Sequence, residues 1–187
     1  MIHEKLVFRF DHLKTPVGPM TRVTDQQGRL RVLEFSDHDE RMRRLMYRYY
    51  GPCDLTPGAA PAAVRTALDA YFDGDLAAID SLETAATGTP FQGRVWAALR
   101  EIPAGTTESY GALAARLGLP NAMRAVGLAN GANPIAVVVP CHRVIGANGT
   151  LTGYGGGIER KQWLLKHEGA AFRPLRLAPQ ESRLPGL

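Results

Sequence analysis

The chain has 187 residues, 45% hydrophobic and 21% charged, with a formal net charge of +4. These proportions are those of a water-soluble globular protein of one compact or two small domains, and they exclude a chain too polar to bury a core. No apolar run approaches the roughly 20 residues that span a bilayer, and the N-terminus lacks a hydrophobic signal core, so a cytoplasmic location without membrane association is expected.

The only two cysteines, Cys53 and Cys141, lie far apart in unlike surroundings. A disulfide framework is therefore not expected, and no Cys/His spacing suits zinc; neither a metal nor a cofactor is predicted. Charge is unevenly divided. Residues 1–87 carry 11 Lys+Arg against 13 Asp+Glu, whereas residues 88–187 carry 11 against 5. The half that holds Cys141 is the basic one, which suits a polyanionic partner, although a solvated surface would also carry such charge.

The N-terminal third reads as α/β. Residues 6–10 and 30–35 alternate or nearly alternate, and residues 19–24 form a further strand between turn signals. Asp25-Gln26-Gln27-Gly28 is a hairpin-type connection, so the sheet is expected to be small and antiparallel. Residues 39–50 have helical composition and end at Gly51-Pro52; Arg41, Arg43, Arg44 and Arg48 read as a solvated face. A second helix is expected over 61–73, with Pro61 in its first turn, Gly74 just past its end, and Leu68, Tyr71 and Phe72 as its apolar face. Nothing before residue 85 has a catalytic arrangement, and residues 1–84 are read as a scaffold domain.

A small-residue stretch, 84–88, marks the expected boundary. Thr89 then caps a helix with Pro90 in first position, whose buried stripe is Phe91, Val95, Ala98, Leu99 and Ile102. Ser109 opens a short helix with Tyr110, Leu113, Ala114 and Leu117 on one side. The turn Gly118-Leu119-Pro120 leads into another helix over 121–130, giving a helix-turn-helix outline. The second of these helices has little bulk. Ala122, Ala125, Gly127 and Ala129 admit the close approach of a neighbouring helix or of a DNA groove, and Arg124 is its single long charged side chain.

Residues 135–139 are an apolar run between Pro134 and Pro140, too short for a helix and expected to be a short buried extended segment. The run delivers Cys141 to His142 and Arg143, neighbours beside which a thiol is expected to have a lowered pKa and raised nucleophilicity. The plain alternative is a small buried hydrophobe. Asn133 flanks the run as a candidate orienting group. The glycine-rich loop Gly153-Tyr154-Gly155-Gly156-Gly157 lacks the Lys-Ser/Thr ending of a phosphate-binding loop and suits a flat ligand, with Tyr154 as one wall. A final helix over 158–168 is closed by Gly169. Glu168 in its last turn opposes the helix dipole unless a partner such as a histidine meets it. The tail, 170–187, is expected to be loosely ordered.

The stretch Pro140-Cys141-His142-Arg143-Val144-Ile145-Gly146 resembles the active-site motif of the O6-alkylguanine-DNA alkyltransferases, direct-reversal DNA repair proteins. Ser109-Tyr110-Gly111-Ala112-Leu113-Ala114, Arg124-Ala125-Val126-Gly127, Asn133-Pro134, the glycine-rich loop and Trp163-Leu164-Leu165-Lys166-His167-Glu168-Gly169 stand in the same order and spacing. The resemblance is close over 88–169, is strongest to the bacterial constitutive form, and is one of outline over 1–84.

That resemblance implies an N-terminal α/β domain of ribonuclease H-like outline and a mainly helical C-terminal domain with a winged helix-turn-helix-like element. It implies that Cys141 accepts the alkyl group of O6-alkylguanine, and of O4-alkylthymine, in one irreversible turnover. Glu168 would polarise His142, which takes the thiol proton through a water, and Asn133 would hold the network. Tyr110 would donate to guanine N3 and the Gly155 amide to O6, with Tyr154 and Val144 lining the pocket. Ser109, Tyr110, Arg124, Ala125 and Gly127 would contact double-stranded DNA from the minor groove, Arg124 filling the space of the flipped base. A monomer is expected in solution, with cooperative binding on DNA left open. Asn130 and Gly155 stand where other members carry a bulkier apolar residue or a hydroxyl, which implies a roomier pocket. The other readings are a non-catalytic sensor of alkylated bases, a helix-turn-helix regulator with a structural cysteine, and a cysteine hydrolase.

Overall fold

The computed structural model describes residues 6–174. Three strands, β1 (Val7–Leu13), β2 (Met20–Thr24) and β3 (Leu30–Phe35), are followed by one turn of 3-10 helix and α1 (Asp39–Tyr50). β4 (Asp54–Pro57) and α2 (Ala62–Phe72) complete the first half. The sheet order is β3-β2-β1-β4, with β1, β2 and β3 antiparallel and β4 parallel to β1. The sheet is therefore mixed rather than antiparallel. β4 escaped sequence reading because four residues ending in proline show no alternation. Pro57 is tolerated there because the strand lies at the edge. The β2–β3 connection is held by Asp25, whose Oδ1 accepts from the Gln27 and Arg29 amides at 3.0 and 2.9 Å.

The other edge of the sheet, β3, is covered by two returning segments, which satisfies a backbone that would otherwise be open to pairing. The Leu30 amide donates to Glu83 O at 3.0 Å and Leu30 O accepts from Ala85 N at 2.9 Å. Further along, the Leu33 amide donates to Pro134 O at 3.0 Å and Leu33 O accepts from Ala136 N at 2.8 Å. The chain that precedes Cys141 is thus seated on the sheet.

The second half comprises α3 (Pro90–Arg100), β5 (Glu108–Ser109), α4 (Tyr110–Arg116), α5 (Met123–Gly131), β6 (Val144–Ile145) and α6 (Ile158–His167). Thr89 and Gln92 form a capping box at the start of α3. β5 and β6 pair in parallel. One apolar cluster joins Met20, Leu33, Phe35, Leu68 and Tyr71 to Leu99, Leu113, Val137 and Leu164, so apolar contact continues across residues 84–88. A smaller cluster of Phe8, Val23, Val32, Met42 and Met46 packs α1 on the sheet. At the start of the expected tail Ala170 is buried and the Arg173 amide donates to Gly149 O at 2.7 Å; residues 175–187 lie outside the described residues.

Residues 135–139 are buried, as expected, but not extended. They coil into tight turns, with Val139 N donating to Ile135 O at 3.0 Å and Val138 N to Ala136 O at 2.9 Å. Val137 has φ 71°, a left-handed conformation that a β-branched residue adopts only under constraint from its surroundings, at a cost of about 1–3 kcal/mol. Ile135 pairs with Leu33 on the sheet edge, and Asn133 holds the far end of the turn.

Candidate active site

Cys141 begins a single 3-10 turn, Cys141–Arg143, directly after the strained segment. Asn133 clamps both. Its Nδ2 donates to Val139 O at 2.8 Å and lies 3.1 Å from Cys141 Sγ, while its Oδ1 accepts from Ile135 N at 3.0 Å. The thiol is 7% exposed.

Three residues make one 3-10 turn, so consecutive side chains diverge and cannot all face one point. His142 and Arg143 are accordingly buried on the side away from the thiol, where both meet Glu168 just past the end of α6. His142 Nε2 lies 2.9 Å from Glu168 Oε1; Arg143 donates through Nε to Oε2 at 3.0 Å and through Nη2 to Oε1 at 2.9 Å. The Tyr71 hydroxyl, from α2, donates to Oε1 at 2.7 Å. The glutamate's opposition to the helix dipole is thus offset by three donors. These hydrogen bonds and charges hold Glu168 well below the usual carboxylate range, against its burial. His142 is pushed down by burial, more than Glu168 raises it, so it is a neutral imidazole.

The expected fall in the thiol's pKa is not found. Burial pushes Cys141 up, opposed by the Asn133 hydrogen bond and by the cations of Lys161 and Arg41. The adjacent His142 and Arg143 are committed to Glu168; the cations that act on the sulfur come from α6 and α1. Lys161 is fully buried and donates to Val144 O at 2.7 Å and Thr152 O at 3.3 Å; burial pushes its pKa down to about 8. Arg41, far from solvated, forms an ion pair with buried Glu34 and donates to Gly131 O at 2.8 Å.

The remaining expected residues divide. Tyr110, the first residue of α4, has its hydroxyl 3.3 Å from Thr152 Oγ1, and its ring lies against Gly127. Gly127 therefore makes room for Tyr110 within the protein. Ser109 caps α4, its Oγ accepting from Ala112 N at 3.1 Å. Arg124 and Ala125 are exposed on α5. Val144 is buried in β6. Tyr154 packs edge-on to Phe35, ring centroids 6.4 Å apart, and Gly156 permits this, because a Cβ there would come within 2.2 Å of the Phe35 ring.

Between Cys141, Asn130, Asn133, Arg41 and the loop from Gly153 to Gly156 lies a cavity of about 20 Å³. The room that Gly155 leaves is taken by Arg41, whose Nη2 would be 3.1 Å from a Cβ at that position, so the expected roomier pocket is filled. Three buried polar atoms in and around the site have no partner: Asn130 Oδ1, His142 Nδ1 and the Tyr154 hydroxyl. Sequence reading missed Tyr71, Lys161, Arg41, Glu34 and the Arg143–Glu168 pair. None carried a local signal except Arg143, whose place beside His142 was read as serving the thiol.

Residues 90–170 match the family model described as 6-O-methylguanine DNA methyltransferase, DNA binding domain. The methylated-DNA--protein-cysteine methyltransferase of Salmonella typhimurium is 55% identical over 162 residues, 85% of this chain and 94% of that protein. The enzyme of that name from Mycobacterium tuberculosis is 48% identical over 170 residues, 90% and 93% of the two chains. The crystal structure of Mycobacterium tuberculosis OGT in complex with DNA superposes with a TM-score of 0.73 at 42% identity, over 88% of this chain and 93% of that one. The O6-methylguanine-DNA methyltransferase of Pyrococcus kodakaraensis superposes with a TM-score of 0.69 at 25% identity, over 87% and 99%. With a thiol held beside a carboxylate-bound imidazole and likeness over nearly the whole length, the chain belongs to the methylated-DNA--protein-cysteine methyltransferase family.

Proposed function

We propose that Cys141 takes the alkyl group from O6 of alkylguanine, and more slowly from O4 of alkylthymine, in double-stranded DNA. One observation carries this reading. Glu168 engages Nε2 of a neutral His142, which leaves the buried Nδ1 as an unpartnered acceptor on the residue next to Cys141. With the Nε2 proton donated to the carboxylate, Nδ1 takes the thiol proton through a water. The thiolate attacks the alkyl carbon in line, the carbon–oxygen bond breaks, and its electron pair passes to the guanine, which is reprotonated on the ring. Tyr110 and the Gly155 amide act on the departing base. The product is a thioether with no leaving group, so each molecule reacts once.

The alkylated atom is out of reach inside a duplex, so the base is flipped out. A cavity of about 20 Å³ holds one water and no purine, so the incoming base displaces the Arg41 guanidinium. α4 and α5 act as a helix-turn-helix of winged type carried beside an N-terminal domain of ribonuclease H-like outline. The exposed Arg124 and Ala125 face the minor groove, Arg124 filling the vacated space. The protein acts as a monomer, and its affinity falls with salt, as backbone-dominated contacts require.

The test is peptide mass spectrometry after mixing the protein with a duplex containing O6-methylguanine, alongside Cys141→Ala. One methyl on the Cys141 peptide, restored guanine and no second turnover are expected. DNA binding without any mass change would replace this reading with a non-catalytic lesion sensor.

A further inference from the structure

Asn130 sits in the third turn of α5 and is 4% exposed, yet its side chain is only half used. Nδ2 donates to Cys141 O at 3.4 Å, and this carbonyl fixes which end of the amide is which, since Oδ1 in that place would oppose another oxygen. Oδ1 is buried without a partner, and Asn130 lines the cavity that Cys141 shares. A buried carbonyl oxygen left unpaired is costly, so a donor is called for when the site is filled.

Accepting the reading of Cys141 given above, the chemistry of the substrate identifies that donor. Alkylation at O6 removes the proton from guanine N1, and N9 is tied to the sugar. The exocyclic 2-amino group is then the only N–H donor left on the base. Alkylation at O4 of thymine removes the N3 proton and leaves no N–H at all. We infer that Asn130 Oδ1 accepts from the 2-amino group of the flipped O6-alkylguanine and so sets the preference for alkylated guanine over alkylated bases without that group. His142 Nδ1 does not compete for this role, because the thiol proton claims it. The Tyr154 hydroxyl can turn to donate as readily as accept, and so discriminates less sharply.

The experiment compares single-turnover methyl transfer from duplexes that differ only at the lesion: O6-methylguanine, O6-methylhypoxanthine (the same purine without the 2-amino group) and O4-methylthymine. The wild-type protein should react faster with methylguanine than with methylhypoxanthine by about ten- to a hundredfold, the factor expected for one unpaired buried acceptor. In Asn130→Leu, which has a similar volume and no acceptor, that ratio should fall towards one. Because the ratio compares two substrates on the same protein, partial misfolding of the variant does not affect it. A ratio near one in the wild type, or one unchanged in Asn130→Leu, would overturn the assignment. Failure of the wild-type protein to methylate Cys141 from any of the three would instead remove the reading on which the assignment rests.

Discussion

Tyr71 and Glu168, 97 residues apart, meet in the core with the tyrosine hydroxyl donating to Oε1 at 2.7 Å. The contact ties α2 of the N-terminal half to the carboxylate that orients His142. A stretch without catalytic residues of its own thereby reaches the reacting centre. Tyr71→Phe removes one donor and leaves Arg143 and His142 in place. We expect a loss of about 1.5–3 kcal/mol in stability, the range for a hydrogen bond to a charged group. Urea unfolding would measure it, and transfer should slow as Glu168 holds His142 less firmly. A variant as stable as the wild type would show that the contact carries no net energy.

Glu168 also sets how the protein responds to acid. Its folded pKa lies below the model value of 4.5. A depressed carboxylate contributes stability that is complete above its unfolded pKa and is lost as pH falls through the folded one. Wild-type stability should therefore decline below about pH 4.5. Glu168→Gln should flatten that decline. It should also cost about 3–5 kcal/mol near neutrality, because Arg143 is left buried and unpaired. Denaturant midpoints at pH 7, 5 and 3.5 in both proteins decide this, and equal acid slopes would refute it.

Lys161 should govern the pH dependence of transfer. The Cys141 thiol is raised by burial and lowered by the Lys161 cation. Transfer should accordingly quicken as pH rises and the thiol ionises. Lys161 has a pKa of about 8 and surrenders its own charge in the same region. In Lys161→Met the cation is absent at every pH, so the rising limb of rate against pH should move to higher pH. Single-turnover rates from pH 6 to 9.5 would show the move. An unshifted limb would mean that Lys161 serves only to tie Val144 O to Thr152 O.

Much of the molecule is fixed by short-range rules that a linear reading can apply. Thr89 with Pro90, Ser109 before Tyr110, and the 3.6-residue stripe of Val95, Ala98, Leu99 and Ile102 define helices through caps and periodicity, and each stands where expected. The Pro-Cys-His-Arg motif, Asn133 and Glu168 marked out the site because those residue types at those positions carry chemistry. What tertiary structure alone decided is how these pieces face one another. The apolar run 135–139 coiled because its hydrogen bonds go to the sheet edge at Leu33, a partner that no local pattern shows. β4 exists because β1 offers it an edge. His142 and Arg143 turned from the thiol to Glu168 because consecutive residues of a 3-10 turn diverge. The cations that act on Cys141, Arg41 and Lys161, arrived from elements 100 residues before it and 20 after it in the chain. Propensity and spacing act over a few residues, and a buried charge is matched only by whichever group the fold delivers across the core.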